Sequence, residues 1–190
     1  CTIVRIRVAD PTQVRTAVSN DNYQDRTYVK AATMAKHVNA VAAVNGDFFK
    51  YFDSIGYVVR QGEFYRDALN GERDLLLIDD QGDFCAIRNA QSADVTAFMA
   101  DTLPEGRTVM NTFTLGPVLV ENGETQAITT KEFQYRYKMQ RVAVVQLGTL
   151  EYAIVECDGK ADASSGMSLA DFAEYIKALF PDCRLAYNLD

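Results

Sequence analysis

Turn dipeptides interrupt the middle of this chain at short intervals, each beside runs that read as strands. Gln61-Gly62 separates residues 57–60 from 63–66, Gln81-Gly82 follows residues 75–79, and Asn122-Gly123 follows residues 118–121. Such dipeptides supply the positive φ that a tight hairpin turn needs, so consecutive runs are predicted to pair antiparallel. Residues 141–147, Gly148-Thr149 and residues 150–157 repeat the pattern, rich in the β-branched side chains that suit a pleated surface.

Other periods flank this hairpin region. Val4, Ile6 and Val8 alternate with Arg5 and Arg7, which predicts a half-buried, edge-type strand at the start. Tyr28, Ala31, Ala32, Ala35 and Val38 recur at helical spacing, and the helix is expected to lead into residues 40–44, read as a buried strand ending at Asn45-Gly46. Residues 92–99 fit a short helix. The clearest helix carries Leu169, Phe172, Ala173, Ile176, Leu179 and Phe180 on one face, with Ser168 as its cap, Asp171 in support and Pro181 as its stop. Residues 184–189 return as a strand. Strands in hairpin order with a few helices laid against them define an α+β class: a mixed, mostly antiparallel sheet with helices packed on it. The even spread of apolar residues over 190 positions predicts one domain spanning residues 1–190.

Charge and composition exclude several functions. The net charge is −7, and no stretch concentrates Lys and Arg, so no nucleic-acid partner is expected. No run approaches the roughly 20 apolar residues of a membrane span. The absence of a charged start with an apolar segment predicts a mature or trimmed segment. Cys1, Cys85, Cys157 and Cys183 allow three complete pairings, and their spacing fits neither a zinc site nor a C-x-x-C redox motif. The one histidine, His37, is assigned to a solvated helix face. It offers no metal cage, and no nucleotide-binding glycine loop occurs, so neither metal nor cofactor is expected. Carboxylates, amides and arginine remain as reagents.

Five places mount such groups where a strand meets a loop. Asn45-Gly46-Asp47-Phe48-Phe49 reads as a hairpin turn or as a polar sugar site with aromatic walls. Asn111, followed by Gly116-Pro117, reads as strand and turn or as a ligand-facing corner. Arg141 opens an apolar strand, where its guanidinium grips either a phosphate or a structural carboxylate. Asp158-Gly159 leads through Ser165-Gly166 to the last helix, an ordinary capped entrance or an anion cradle. Asn188 and Asp190 share one face of the last run if the strand persists.

Taken in order, Ala43-Val-Asn45-Gly46-Asp47-Phe48-Phe49, Gly56 with Gln61-Gly62, Leu115-Gly116-Pro117 with Asn122-Gly123, Arg141-Val-Ala, Asp158-Gly159, Gly166-Met-Ser168 and Ala186-Tyr-Asn188-Leu-Asp190 resemble the phosphodiester glycosidase family. The resemblance implies a sheet-and-helix domain, secreted or attached to a bacterial envelope, that hydrolyses the glycosyl-phosphate bond of a sugar-1-phosphodiester. A phosphorylated saccharide or glycan is the implied partner. It also implies that Asn45, Gly46, Phe48, Arg141, Gly166, Asn188 and Asp190 belong to the pocket. Two departures stand out: Asp47 occupies a position where the family more often has glycine, and the glycine-rich, serine-containing stretch that follows Asn-Leu-Asp is not among these residues. On this reading Asp190 activates water or attacks the sugar, with Asp47 and Asp158 behind it. Arg141, Ser165 and Gly166 receive the phosphate, while Asn45, Phe48, Asn111, Gly116 and Asn188 hold the sugar. The rival expectation is a non-catalytic carbohydrate-binding or envelope module. The enzymatic reading requires segments distant in sequence to meet at one hollow, with Arg141 and Asp190 on the same side of the molecule.

Overall fold

The computed structural model describes residues 1–25, 27–47, 54–128, 135–159 and 165–190. Its layering follows from strands that are apolar on both faces. In β4 (Leu75–Asp79) all five residues are buried. Leu76 and Ile78 point to one cluster, shared with Val118, Leu185, Tyr187 and Leu189, whereas Leu75 and Leu77 point to another, shared with Ala90, Val95 and Val109. Strand β9 (Arg141–Gly148) divides in the same way. Val142 and Val144 join the β4 side, and Ala143 and Val145 pack under helix α3 (Leu169–Leu179). This is the two-residue period of a covered strand, and each fully buried aliphatic side chain contributes roughly 2 kcal/mol of transfer free energy.

The result is four layers: α3, a six-stranded sheet, a smaller sheet around β4, and helix α2 (Ser92–Ala97). The large sheet runs in the order β1 (Thr2–Arg7), β10 (Glu151–Cys157), β9, β11 (Leu185–Leu189), β7 (Val118–Glu121), β8 (Glu124–Thr125). The smaller one places β4 between β5 (Phe84–Ile87) and β6 (Val109–Phe113), and β2 (Gly56–Arg60) pairs with β3 (Glu63–Ala68) as a hairpin. Every ladder among the described residues is antiparallel. The hairpin is joined to β6 through side chains. Thr112 Oγ1 accepts from the Val59 amide at 3.0 Å and donates to the Tyr57 carbonyl at 2.5 Å, and Thr114 Oγ1 accepts from the Tyr57 amide at 3.2 Å.

The expected turns form at Gln61-Gly62 and Asn122-Gly123, where both residues of each pair have positive φ, the geometry of a type I′ hairpin. Helix α3 starts at Ser168, whose Oγ accepts from the Asp171 amide at 3.1 Å, and buries Leu169, Phe172, Ala173 and Ile176.

The N-terminal quarter differs from expectation. Strand β1 is an edge strand with Ile6 half-buried, as is Val8 just beyond it, but Val4 on the same face is exposed. Helix α1 (Ala31–His37) forms with no buried residue, and His37 is exposed beside Asp21, its Nε2 2.8 Å from Oδ2. Residues 40–44 are not a buried strand: they lie in irregular backbone, Val41 is fully exposed, and only Val44 packs against the β4 cluster. An apolar run becomes a strand only where an open ladder edge meets it, and no described strand pairs with this one. Among the described residues no helix is long and apolar enough to cross a membrane.

Candidate functional site at one end of the six-stranded sheet

The β9–β11 ladder ends with Leu189 opposite Val142, so the next residues outward on these adjacent strands are Asp190 and Arg141. On the other flank Cys157 stands opposite Arg141, which brings Asp158 to the same end of the sheet. Two more segments close on this rim. The Asp190 amide donates to the Gly46 carbonyl at 3.1 Å, and the Asn188 side-chain amide donates to the Gly116 carbonyl at 2.8 Å. Met139 bridges to Met167, and a Cβ on Gly166 would collide with the Met139 backbone, so only glycine lets residues 165–166 lie against the entry to β9. Asn45, Gly46, Asp47, Gly116, Arg141, Asp158, Ser165, Gly166, Asn188 and Asp190 therefore gather at one end, although they span most of the sequence.

The charges there are held unequally. Asp47 Oδ1 accepts from the Thr114 and Leu115 amides at 2.7 and 3.0 Å, and its Oδ2 lies 3.3 Å from Arg60 Nη2. Three donors of this kind fix the carboxylate in place. Asp190 is exposed at the rim, yet partial desolvation of its carboxyl, and then the negative charge of Asp47, raise it above the usual range. Arg141 is buried, its Nε donating to the Met167 carbonyl at 3.0 Å and its Nη2 to the Tyr137 carbonyl at 2.8 Å. Burial pushes its pKa down, but a guanidinium stays charged in any protein setting. Asn188 is buried, and among the described residues its Oδ1 has no hydrogen-bond partner. An acceptor stranded in this way costs about 1–3 kcal/mol unless a donor arrives.

Other expectations fall elsewhere. Asn111 is not at this rim. It is buried on β6, where its Oδ1 accepts from Thr16 Oγ1 at 2.7 Å and from the Gln61 amide at 3.1 Å, so it fixes the β2–β3 turn instead of facing a ligand. The first turn of α3 is capped by Ser168 and already carries Asp171, which weakens its attraction for another anion. Ser165, Asp158 and Asn45 are exposed. Phe48 lies outside the described residues. Among those described, no group of three or more His, Cys, Asp or Glu side chains is placed to hold a metal.

The structure also brings in residues that their sequence context did not single out. Arg60 stacks over the Phe113 ring at 4.9 Å while holding Asp47. Buried Arg73 donates to the Leu115 carbonyl at 3.2 Å and bonds the Tyr135 hydroxyl. A cavity of about 220 Å³ opens behind the 114–117 loop, lined by Arg73, Asp74, Arg88, Leu115, Pro117 and Tyr135. None of these arginines stands in a motif, and only the crossing of β2 with β6 reveals the partner of Arg60.

The family model for phosphodiester glycosidase matches residues 38–190. The chain belongs to the phosphodiester glycosidase family. The match covers every segment of the rim. Among solved structures the fold is similar to the zebrafish N-acetylglucosamine-1-phosphodiester alpha-N-acetylglucosaminidase catalytic domain auto-inhibited by its pro-peptide. That similarity has a TM-score of 0.55 at 18% identity and covers 77% of this chain and 49% of that one. It is also similar to a hypothetical protein from Synechocystis, with a TM-score of 0.54 at 13% identity over 100% of this chain and 50% of that one. This chain thus spans about half the length of each. No curated protein matches it in sequence. At these identities the structural likeness establishes the fold alone.

Proposed function

We propose that this phosphodiester glycosidase family member hydrolyses the glycosyl-phosphate bond of a sugar-1-phosphodiester at the sheet end that gathers Asp47, Arg141, Asn188 and Asp190. The observation that carries the reading is the unequal pair of carboxylates. Asp47, tied by two amides and Arg60, is the fixed negative charge that stabilises positive character on the sugar as the bond breaks. Asp190, with its pKa raised, is the better base and activates water or attacks the anomeric carbon. Arg141 lies next to that strand end and supplies positive charge to the departing phosphate, a good leaving group that needs little help from an acid. The Asn188 Oδ1 takes a sugar hydroxyl as its missing donor. Asp158, Ser165, Gly166, Asn45 and Gly116 frame the pocket, in a secreted or envelope setting.

Asp190→Asn is the direct test. Release of reducing sugar from sugar-1-phosphodiesters should fall by about 100-fold or more while the fold persists. Unchanged turnover removes Asp190 from the reaction. Arg141→Ala is less clean, because it also strands the Met167 and Tyr137 carbonyls. The engagement of Asp47 and Arg141 by backbone groups favours a second reading, a carbohydrate-binding module. It predicts saturable binding of the same compounds with no sugar released by the unaltered protein.

A further inference from the structure

The β1–β10 ladder runs without a break in register from Arg7 opposite Glu151 to Thr2 opposite Glu156. Extending that register by one step sets Cys1 opposite Cys157, both free thiols in this structure. The Val8 amide donates to the Leu150 carbonyl at 3.0 Å, which makes that pair a hydrogen-bonded one. Hydrogen-bonded and non-hydrogen-bonded pairs alternate along an antiparallel ladder, and stepping along it brings Cys1 and Cys157 to a non-hydrogen-bonded site. At such sites the Cα atoms are about 4.5 Å apart and the side chains closest, within the roughly 4.4–6.8 Å that a disulfide spans.

The faces agree. Opposed residues point to the same side of a sheet, and Cys1 shares its side of β1 with Ile3 and Arg5. Arg5 lies over the Phe180 ring at 5.0 Å, and Phe180 belongs to the cluster under α3 that also buries Ala153, Val155 and Cys157. The other cysteines are elsewhere. Cys85 is on β5 in the smaller sheet, and Cys183 precedes β11 at the far end of the large sheet.

We propose that Cys1 and Cys157 form a cross-strand disulfide that staples the edge strand to its sheet. Oxidised glutathione serves as the oxidant. The exposed Cys1 thiolate attacks it, forming a mixed disulfide and releasing one reduced glutathione. The Cys157 thiolate then attacks the Cys1 sulfur, forming the protein S–S bond and expelling the second reduced glutathione. The two protein thiols lose two electrons and two protons, and the two glutathione thiols gain them. Burial raises the Cys157 thiol pKa, so the second step is the slower one and hastens as pH rises. The staple lies in the same cross-strand row as Arg141 and stands whether or not the rim is catalytic.

The test equilibrates the protein in a series of reduced and oxidised glutathione, traps the thiols, counts them and maps linkages by non-reducing digestion. The expected result is loss of two of the four thiols together, a Cys1–Cys157 linked peptide, and a melting temperature higher by about 5 °C that reductant abolishes. Cys157→Ser should stop at a glutathione adduct on Cys1. Cys1→Ser changes only an exposed group, so it guards against a folding defect, and it should show neither the linked peptide nor the rise in melting temperature. Persistence of the Cys1 adduct in the unaltered protein, or linkage of Cys1 to Cys85, to Cys183 or to a second molecule, overturns the proposal.

Discussion

The layered sheets carry charge at both ends of their strands, and the two ends treat it differently. At the end away from the candidate site, Asp79 accepts from the Gln81 and Asp83 amides at 2.9 Å each and from Arg107 at 2.5 Å. Asp83 takes Arg107 at 2.8 Å, Gln146 at 2.8 Å and Arg184 at 3.2 Å. Burial pushes the Asp83 carboxyl up, but the Arg107 and Gln146 hydrogen bonds outweigh it and hold it low. At the candidate site, by contrast, the Asp190 carboxyl is raised, and among the described residues the Asn188 Oδ1 lacks a donor. The Asp79 end has an unmet acceptor of its own among the described residues, Asp80 Oδ1, and also the larger hollow, about 460 Å³ against about 220 Å³ behind the 114–117 loop, so what separates the two ends is the direction in which their carboxyls are shifted.

The contrast breaks most readily at Asp79. Replacing it with Ala strands the Gln81 and Asp83 amides, while Arg107 keeps Asp83, and should cost about 2 kcal/mol in denaturant unfolding, with turnover at the other end unaltered. A loss under about 1 kcal/mol would mean that the network is ornamental. Asp47→Asn sharpens the other side. The amide oxygen still accepts from Thr114 and Leu115, but the charge that raises the Asp190 pKa is gone. The acid limb of the rate profile should move to lower pH, and maximal turnover should fall about tenfold as the fixed anion is lost. An acid limb that stays in place separates Asp47 from Asp190.

The sequence disclosed the fold wherever a local rule and a tertiary need coincided. Asn122-Gly123 needs its left-handed turn whatever packs around it, and Ser168 caps the helix that its neighbours bury. Residues 40–44 show the converse. Their composition suits a strand, but pairing is a property of the edge that receives them, and the chain offers them none among its described strands. The rim was legible in part. Asn45 to Asp47, Arg141 and Asn188 to Asp190 are each short polar interruptions of apolar runs, which marks strand ends. Asn111 presents the same signal, yet its oxygen serves Thr16 and Gln61. No local pattern separates a buried amide that holds a turn from one that awaits a ligand. Arg60 was hidden for a related reason: its hold on Asp47 depends on where β2 crosses β6, a contact made through threonine side chains outside any ladder.

The smallest expected effect tests whether the two ends differ in electrostatics or only in their neighbours. The folded pKa of Asp83 is depressed, so its ionised form stabilises the fold above the unfolded pKa, and that stability is lost as pH falls through the folded value. Asp83→Asn should therefore be less stable than the unaltered protein at neutral pH, with the difference shrinking on acidification. Asp190 has the opposite sign. Its folded pKa is raised, so the folded state binds the proton more tightly, and stability falls as pH rises from the unfolded pKa through the folded one. Asp190→Asn should then gain slightly in melting temperature at neutral pH and gain nothing well below the unfolded pKa. Gains and losses of the same sign at both positions would erase the distinction between an end whose paired charges hold the fold and an end that holds charge for chemistry, since a residue kept for function at a cost to stability must reveal that cost when its charge is removed.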